Sequence, residues 1–106
     1  MTKFLALACF LVACTSGAES TGIEPMSCDP ASTLTYANFG AAFIRDNCLS
    51  CHDSKESPRL ITQAAVQANA SDILQEAVYT KAMPEDADIS LAEREMLGNW
   101  LACGAP

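Results

Sequence analysis

The chain has 106 residues, 6 Lys and Arg against 13 Asp and Glu for a net charge of -7, and 6 Cys but one His. That length holds one small domain, and the acidic balance excludes a nucleic-acid binder, whose phosphates demand Lys and Arg clusters. A single His excludes two-His zinc fingers, H-E-x-x-H hydrolases and bis-imidazole metal sites, while an apolar half that includes 18 Ala leaves few bulky side chains for a core.

The first segment reads as an address. Met1-Thr2-Lys3 is a minimal positive start, and Phe4 to Ala13 is an apolar run too short to span a bilayer but suited to a signal-peptide core. It ends in Leu11-Val12-Ala13-Cys14, which resembles the bacterial lipobox, so residues 1–13 are expected to be a lipoprotein signal peptide and Cys14 the lipidated first residue of the exported chain. A soluble secreted protein cleaved after Ala13 or Ala18 is the alternative. Removing residues 1–13 takes away Lys3 and no acid, so 5 basic residues then face 13 acids, a net charge of -8. Residues 14–27 read as the lipidated Cys and a flexible tether, because 15–27 carry no helical or strand period. Such a tether reaches about 45 Å extended, or roughly 20 Å as a random coil.

Residues 28–106 form the expected folded domain, and its pattern is helical. Tyr36, Phe39, Gly40, Phe43 and Ile44 mark one face of a helix capped by Thr35 and running into Cys48. A second helix spans Ile61 or Thr62 to about Ala70, with a weak stripe of Ala64, Ala65 and Ala68. Ser71-Asp72 reads as a fresh N-cap with an acid in the first turn of a short helix that buries Ile73, Leu74, Ala77 and Val78. Ser90-Leu91-Ala92-Glu93 fits a capping box, and Leu97, Trp100 and Leu101 supply the stripe of a last helix closed by Gly104 and Pro106. Met96 reads as a packing residue, and the runs Glu85-Asp86-Ala87-Asp88 and Glu93-Arg94-Glu95 as solvated surface. No strand alternation, internal repeat or catalytic acid–base pair is evident.

Cys48-Leu49-Ser50-Cys51-His52 is a C-x-x-C-H motif, the attachment signature of c-type heme. At a helix end the two thiols lie one turn apart and can form thioethers with two vinyl groups of one porphyrin, while the adjacent imidazole reaches the iron. Three other readings compete. A thioredoxin-like Cys pair would want its helix after the first Cys rather than before it. A zinc site would need Cys28 and Cys103 as further ligands, and a Cys48–Cys51 disulfide would close a strained small loop. With no second His, a heme iron must take Met, Lys, a weak ligand or nothing on its other side. Met83, in a loop stiffened by Pro84, is the best-placed Met, with Lys81 as a remote substitute.

From Tyr36 to Pro106 the sequence resembles the class I, monoheme cytochrome c family, and most closely its small bacterial lipoproteins. The resemblance implies an all-α, cytochrome c-like fold of about four short helices wrapped around one covalent heme c. Cys48 and Cys51 correspond to the thioether cysteines and His52 to the proximal ligand. Gly40 stands where the family has a small residue at the crossing of its first and last helices, and Trp100 where the last helix presents an aromatic to that crossing. Pro58-Arg59-Leu60 matches the family's P-x-L, in which the Pro58 carbonyl accepts a hydrogen bond from the proximal His and Leu60 packs on the heme. Met83-Pro84 matches the distal Met-Pro that supplies the sixth ligand. Only 31 residues separate His52 from Met83, which is shorter than in larger members and leaves out much of their distal wrapping loop.

With Cys9 discarded, Cys14 lipidated and Cys48 and Cys51 on the heme, Cys28 and Cys103 remain as an even pair in an oxidising compartment. A disulfide between them is expected, with two unpaired thiols as the alternative. The function these readings imply is electron transfer by a His/Met-ligated, membrane-tethered carrier rather than an enzyme. Its partners would be redox proteins with basic surfaces, with no small-molecule substrate. It would sit in the periplasm or at the cell surface, lipid-anchored, at the outer membrane where one exists. Alternatives are a gas-binding or redox-sensing heme protein with a labile sixth ligand, and a non-heme assembly lipoprotein.

Overall fold

Residues 18–106, apart from 54 and 86, are described by a computed structural model, and every regular element among them is helical. The expected signal peptide and the Cys14 lipidation site lie outside the described residues. None of the described helices is long and apolar enough to cross a membrane.

Thr35 starts the first helix. Its hydroxyl accepts the Asn38 amide at 3.1 Å while Asn38 Oδ1 accepts the Thr35 amide at 2.7 Å, so two orphan donors are satisfied reciprocally. The first turn, Tyr36–Gly40, is π-helical and runs directly into α1, Ala41–Asn47; after Cys48 comes the single turn α2, Leu49–His52. Thr62 caps α3, Gln63–Ala68, by accepting the Ala65 amide at 3.1 Å. Next, α4, Ala70–Ile73, continues into a second π-helical stretch, Leu74–Tyr79. Ser90 and Glu93 form the capping box of α5, Leu91–Ala102.

The core lies where the first and last helices cross. Gly40 is buried beneath Trp100, and a Cβ at residue 40 would overlap the indole ring, so the close approach depends on glycine. Tyr36 stacks on the indole at 6.3 Å between centroids and Phe39 meets it edge-on at 5.9 Å. Ile44, Val66, Val78, Leu97 and Trp100 are the largest fully buried side chains. The end of α5 closes with the Gly104 amide on Leu101 O and the Ala105 amide on Trp100 O, at 2.9 and 3.1 Å, with Gly104 at φ +87°. The Pro106 carbonyl then accepts both the Tyr36 amide, at 2.6 Å, and Trp100 Nε1, at 3.2 Å, lacing the last helix to the first. Cys28 and Cys103 are joined by a disulfide across 75 residues of sequence.

Four details differ from the sequence reading. Residues 19–26, expected within the tether, are docked: Ser20 pairs with Thr80, the Lys81 amide bonds Glu19 O at 2.8 Å, and the Thr21 amide bonds Tyr79 O at 3.0 Å. The Thr21 hydroxyl donates to Val78 O at 2.6 Å, the Met26 amide donates to the Tyr79 hydroxyl at 2.9 Å, and Ile23 and Met26 pack on the core. The inner face of α3 centres on Val66 rather than on the Ala stripe, of which Ala64 and Ala68 are exposed; the Gln63 and Gln67 side chains donate to Ala105 O at 3.1 Å. Ser71 lies inside a helix that already begins at Ala70, so it caps nothing. Met96 is 46 % exposed and not a packing residue, because the buried stripe of α5 passes through Leu97 and Leu101 instead.

Candidate functional site

The C-x-x-C-H segment occupies the turn that follows α1. The Cys48 amide bonds Ile44 O at 2.9 Å, closing α1, and the Cys51 and His52 amides both return to Cys48 O, at 3.2 and 2.9 Å. This one turn puts the two half-buried cysteines and the imidazole on adjacent positions of a single helical surface.

Beyond His52 the chain folds back on the motif. The Glu56 amide bonds Cys51 O at 2.9 Å and the Leu60 amide bonds His52 O at 2.7 Å, which brings Pro58 to the imidazole. His52 Nδ1 and the Pro58 carbonyl are 2.8 Å apart. A carbonyl only accepts, so Nδ1 carries the proton and the ring presents its lone pair at Nε2, the tautomer a metal-ligating imidazole needs. Leu60 is buried behind it.

Met83 reaches the same place from the other end of the domain. Its amide donates to Glu76 O at 2.8 Å, and its carbonyl accepts Arg94 Nη1 at 2.8 Å. A cavity of about 300 Å³ is lined by Cys48, His52, Pro58, Leu60 and Met83, with Ile73 and Ala77 adding apolar wall and Asp72 and Glu76 also bordering it. That is the lower end of the range for small-ligand sites, roughly 300–1,000 Å³. A recess of about 30 Å³ beside it adds Cys51, Glu56 and Pro84, and is again lined by Cys48, His52 and Met83. Every residue singled out for heme binding thus lines one or both of two spaces that share Cys48, His52 and Met83.

The donor set fits a c-type heme. One imidazole has a fixed tautomer, one thioether lines the same cavity, two cysteines sit one turn apart, and the walls are largely apolar. A zinc site finds no such support, because Cys28 and Cys103 are consumed by their disulfide. Among the described residues, no three His, Cys, Asp or Glu stand together as a metal cluster.

Sequence reasoning missed Arg94, which it placed in a solvated run. Glu93 and Glu95 are exposed, but Arg94 is 3 % exposed, with Nη1 donating to Ala77 O at 2.7 Å as well as to Met83 O. A signal was there: residues 94, 97, 98 and 101 are spaced i, i+3, i+4 and i+7, so Arg94 belongs to the buried stripe by period although not by residue type. No family model, curated protein or solved structure matches the chain.

Proposed function

We propose that this chain is a membrane-tethered electron carrier that holds one covalent heme c. Cys48 and Cys51 would hold it through thioethers, and His52 and Met83 would ligate its iron. The observation that carries the reading is a C-x-x-C-H segment whose imidazole is fixed through Nδ1 by the Pro58 carbonyl and lines one apolar cavity with Met83. A heme bound there supplies reversible one-electron exchange between ferrous and ferric iron.

The chain's own residues do the rest. Pro58 holds the imidazole in one tautomer and one orientation, so Nε2 would be presented to a bound iron in a fixed direction. Leu60, Ile73 and Ala77 give the cavity its apolar wall. With His52 and Met83 both committed as ligands, no position is left for a small-molecule substrate, which makes the protein a carrier and not an enzyme. Its acidic surface selects redox partners with basic patches. Export and lipidation at Cys14 set the location at the periplasmic or outer face of a membrane.

The test is expression with heme-attachment machinery, followed by spectroscopy and kinetics. The expected product is red, its reduced form binds carbon monoxide slowly, and its electron-transfer rate with a basic partner falls as salt rises. A colourless product would leave a non-heme assembly lipoprotein. Rapid binding of carbon monoxide would make the chain a gas-binding protein instead.

A further inference from the structure

Arg94 is the one charged residue in the buried set among the described residues. The Ser90–Glu93 capping box fixes the start of α5, and the Arg94 amide bonds Ser90 O at 3.0 Å in the turn that follows. From that position Nη1 donates to Ala77 O at 2.7 Å and Met83 O at 2.8 Å, with Thr80 O more distant at 3.4 Å. All three carbonyls belong to the end of the second π-helical stretch or to the loop after it. A helix leaves its last carbonyls without intrahelical donors there, and a cation is favoured beside them.

The arrangement pins Met83 at both of its backbone polar groups. Its N–H is held by Glu76 O and its C=O by Arg94. The stretch that carries this clamp is itself seated on α5, since Gly98 lies so close to Val78 that a Cβ at residue 98 would stand 2.9 Å from Val78 Cγ1. A methionine side chain has three rotatable bonds and a neutral, soft sulfur, so its retention on a metal depends on a backbone placed beforehand. Burying a guanidinium is costly unless its donors are used, and at Arg94 the Nη1 bonds to the Ala77 and Met83 carbonyls offset that cost.

We infer that Arg94 is a positioning residue that holds Met83 at the cavity as an iron ligand by clamping the Met83 and Ala77 carbonyls to α5. The inference rests on the ligand role proposed above for Met83. The planar guanidinium offers two N–H groups of one nitrogen in fixed directions, toward two carbonyls six residues apart in the chain. A lysine brings the same charge without that fork, so Arg94→Lys should be only a partial substitute.

The experiment compares Arg94→Met and Arg94→Lys with the wild-type full-length holoprotein. The sixth ligand is read by the weak far-red absorption of a methionine-ligated ferric heme and by the rate at which carbon monoxide binds the ferrous form. Arg94→Met is expected to keep its heme on a denaturing gel, lose most of the far-red band and bind carbon monoxide about tenfold faster or more, with Arg94→Lys between. A lower melting temperature with an unchanged band and an unchanged carbon monoxide rate would make Arg94 a structural residue only and overturn the inference. If Arg94→Met does not fold, Arg94→Lys decides: spectra and rates identical to wild type overturn it.

A second readout needs no heme. Amide exchange at Met83, measured in the full chain as purified, should be faster in Arg94→Lys than in wild type while Leu101 is unchanged. Equal exchange at Met83 overturns the clamp. A wild-type chain that takes up no heme ends the proposed function instead, and the exchange readout still decides whether the clamp exists.

Discussion

The two sides of the cavity are built differently. On the His52 side the supports come from residues 44–60: the bond of the Cys48 amide to Ile44 O, the helical turn from Cys48, the return of Glu56 and Leu60 to the motif, and the Pro58 carbonyl on the imidazole. On the Met83 side the supports come from two separate helical elements, Glu76 on the second π-helical stretch and Arg94 on α5, while residues 19–21 are laid along residues 78–81 just before the loop. A ligand held by its own neighbours survives damage elsewhere. A ligand held by several elements depends on all of them.

The largest effect is expected on the local side. Cys48→Ala with Cys51→Ala removes both attachment points, and heme staining of a denaturing gel should fall to background. Met83→Ala should have a narrower consequence: heme stays on the gel, because the His52 side stands alone, but the far-red band disappears. A Met83→Ala protein that retained that band would show that another side chain is the sixth ligand.

Third comes the disulfide. Cys28→Ala with Cys103→Ala releases a 75-residue separation and should lower stability by about 4 kcal/mol in the chain-entropy model, read by denaturant unfolding. The smallest effect belongs to Tyr79→Phe, which removes the acceptor of the Met26 amide. It should cost about 0.5–1.5 kcal/mol and speed exchange at Met26. It should leave the heme spectrum alone, since Glu76 and Arg94 still hold Met83. A shifted far-red band in Tyr79→Phe would mean that residues 19–26 also govern the ligand.

The same contrast explains what could be read in the sequence. The helix from Thr35 and its cap, the capping box at Ser90 and the Leu97, Trp100 and Leu101 stripe were legible because caps and period are local signals. The approach of Pro58 to His52 and of Trp100 to Gly40 was legible only through resemblance to a family. Residues 19–26 were not legible, because much of their docking uses backbone hydrogen bonds to residues 79–81, and a mostly polar segment in which Ile23 and Met26 set no sustained helical or strand period is indistinguishable from a linker. Arg94 was hidden by its charge, and the inner face of α3 by an Ala run that made Val66 one small apolar residue among several.

The central claim is that Cys48 and Cys51 carry one heme whose iron His52 binds. The most direct measurement is a pyridine hemochrome spectrum of the denatured, solvent-extracted full chain, with its mass determined alongside. One heme c per chain is expected, retained through extraction because it is bonded through two thioethers. A chain that is colourless, or that gives up its heme to the solvent, would contradict it.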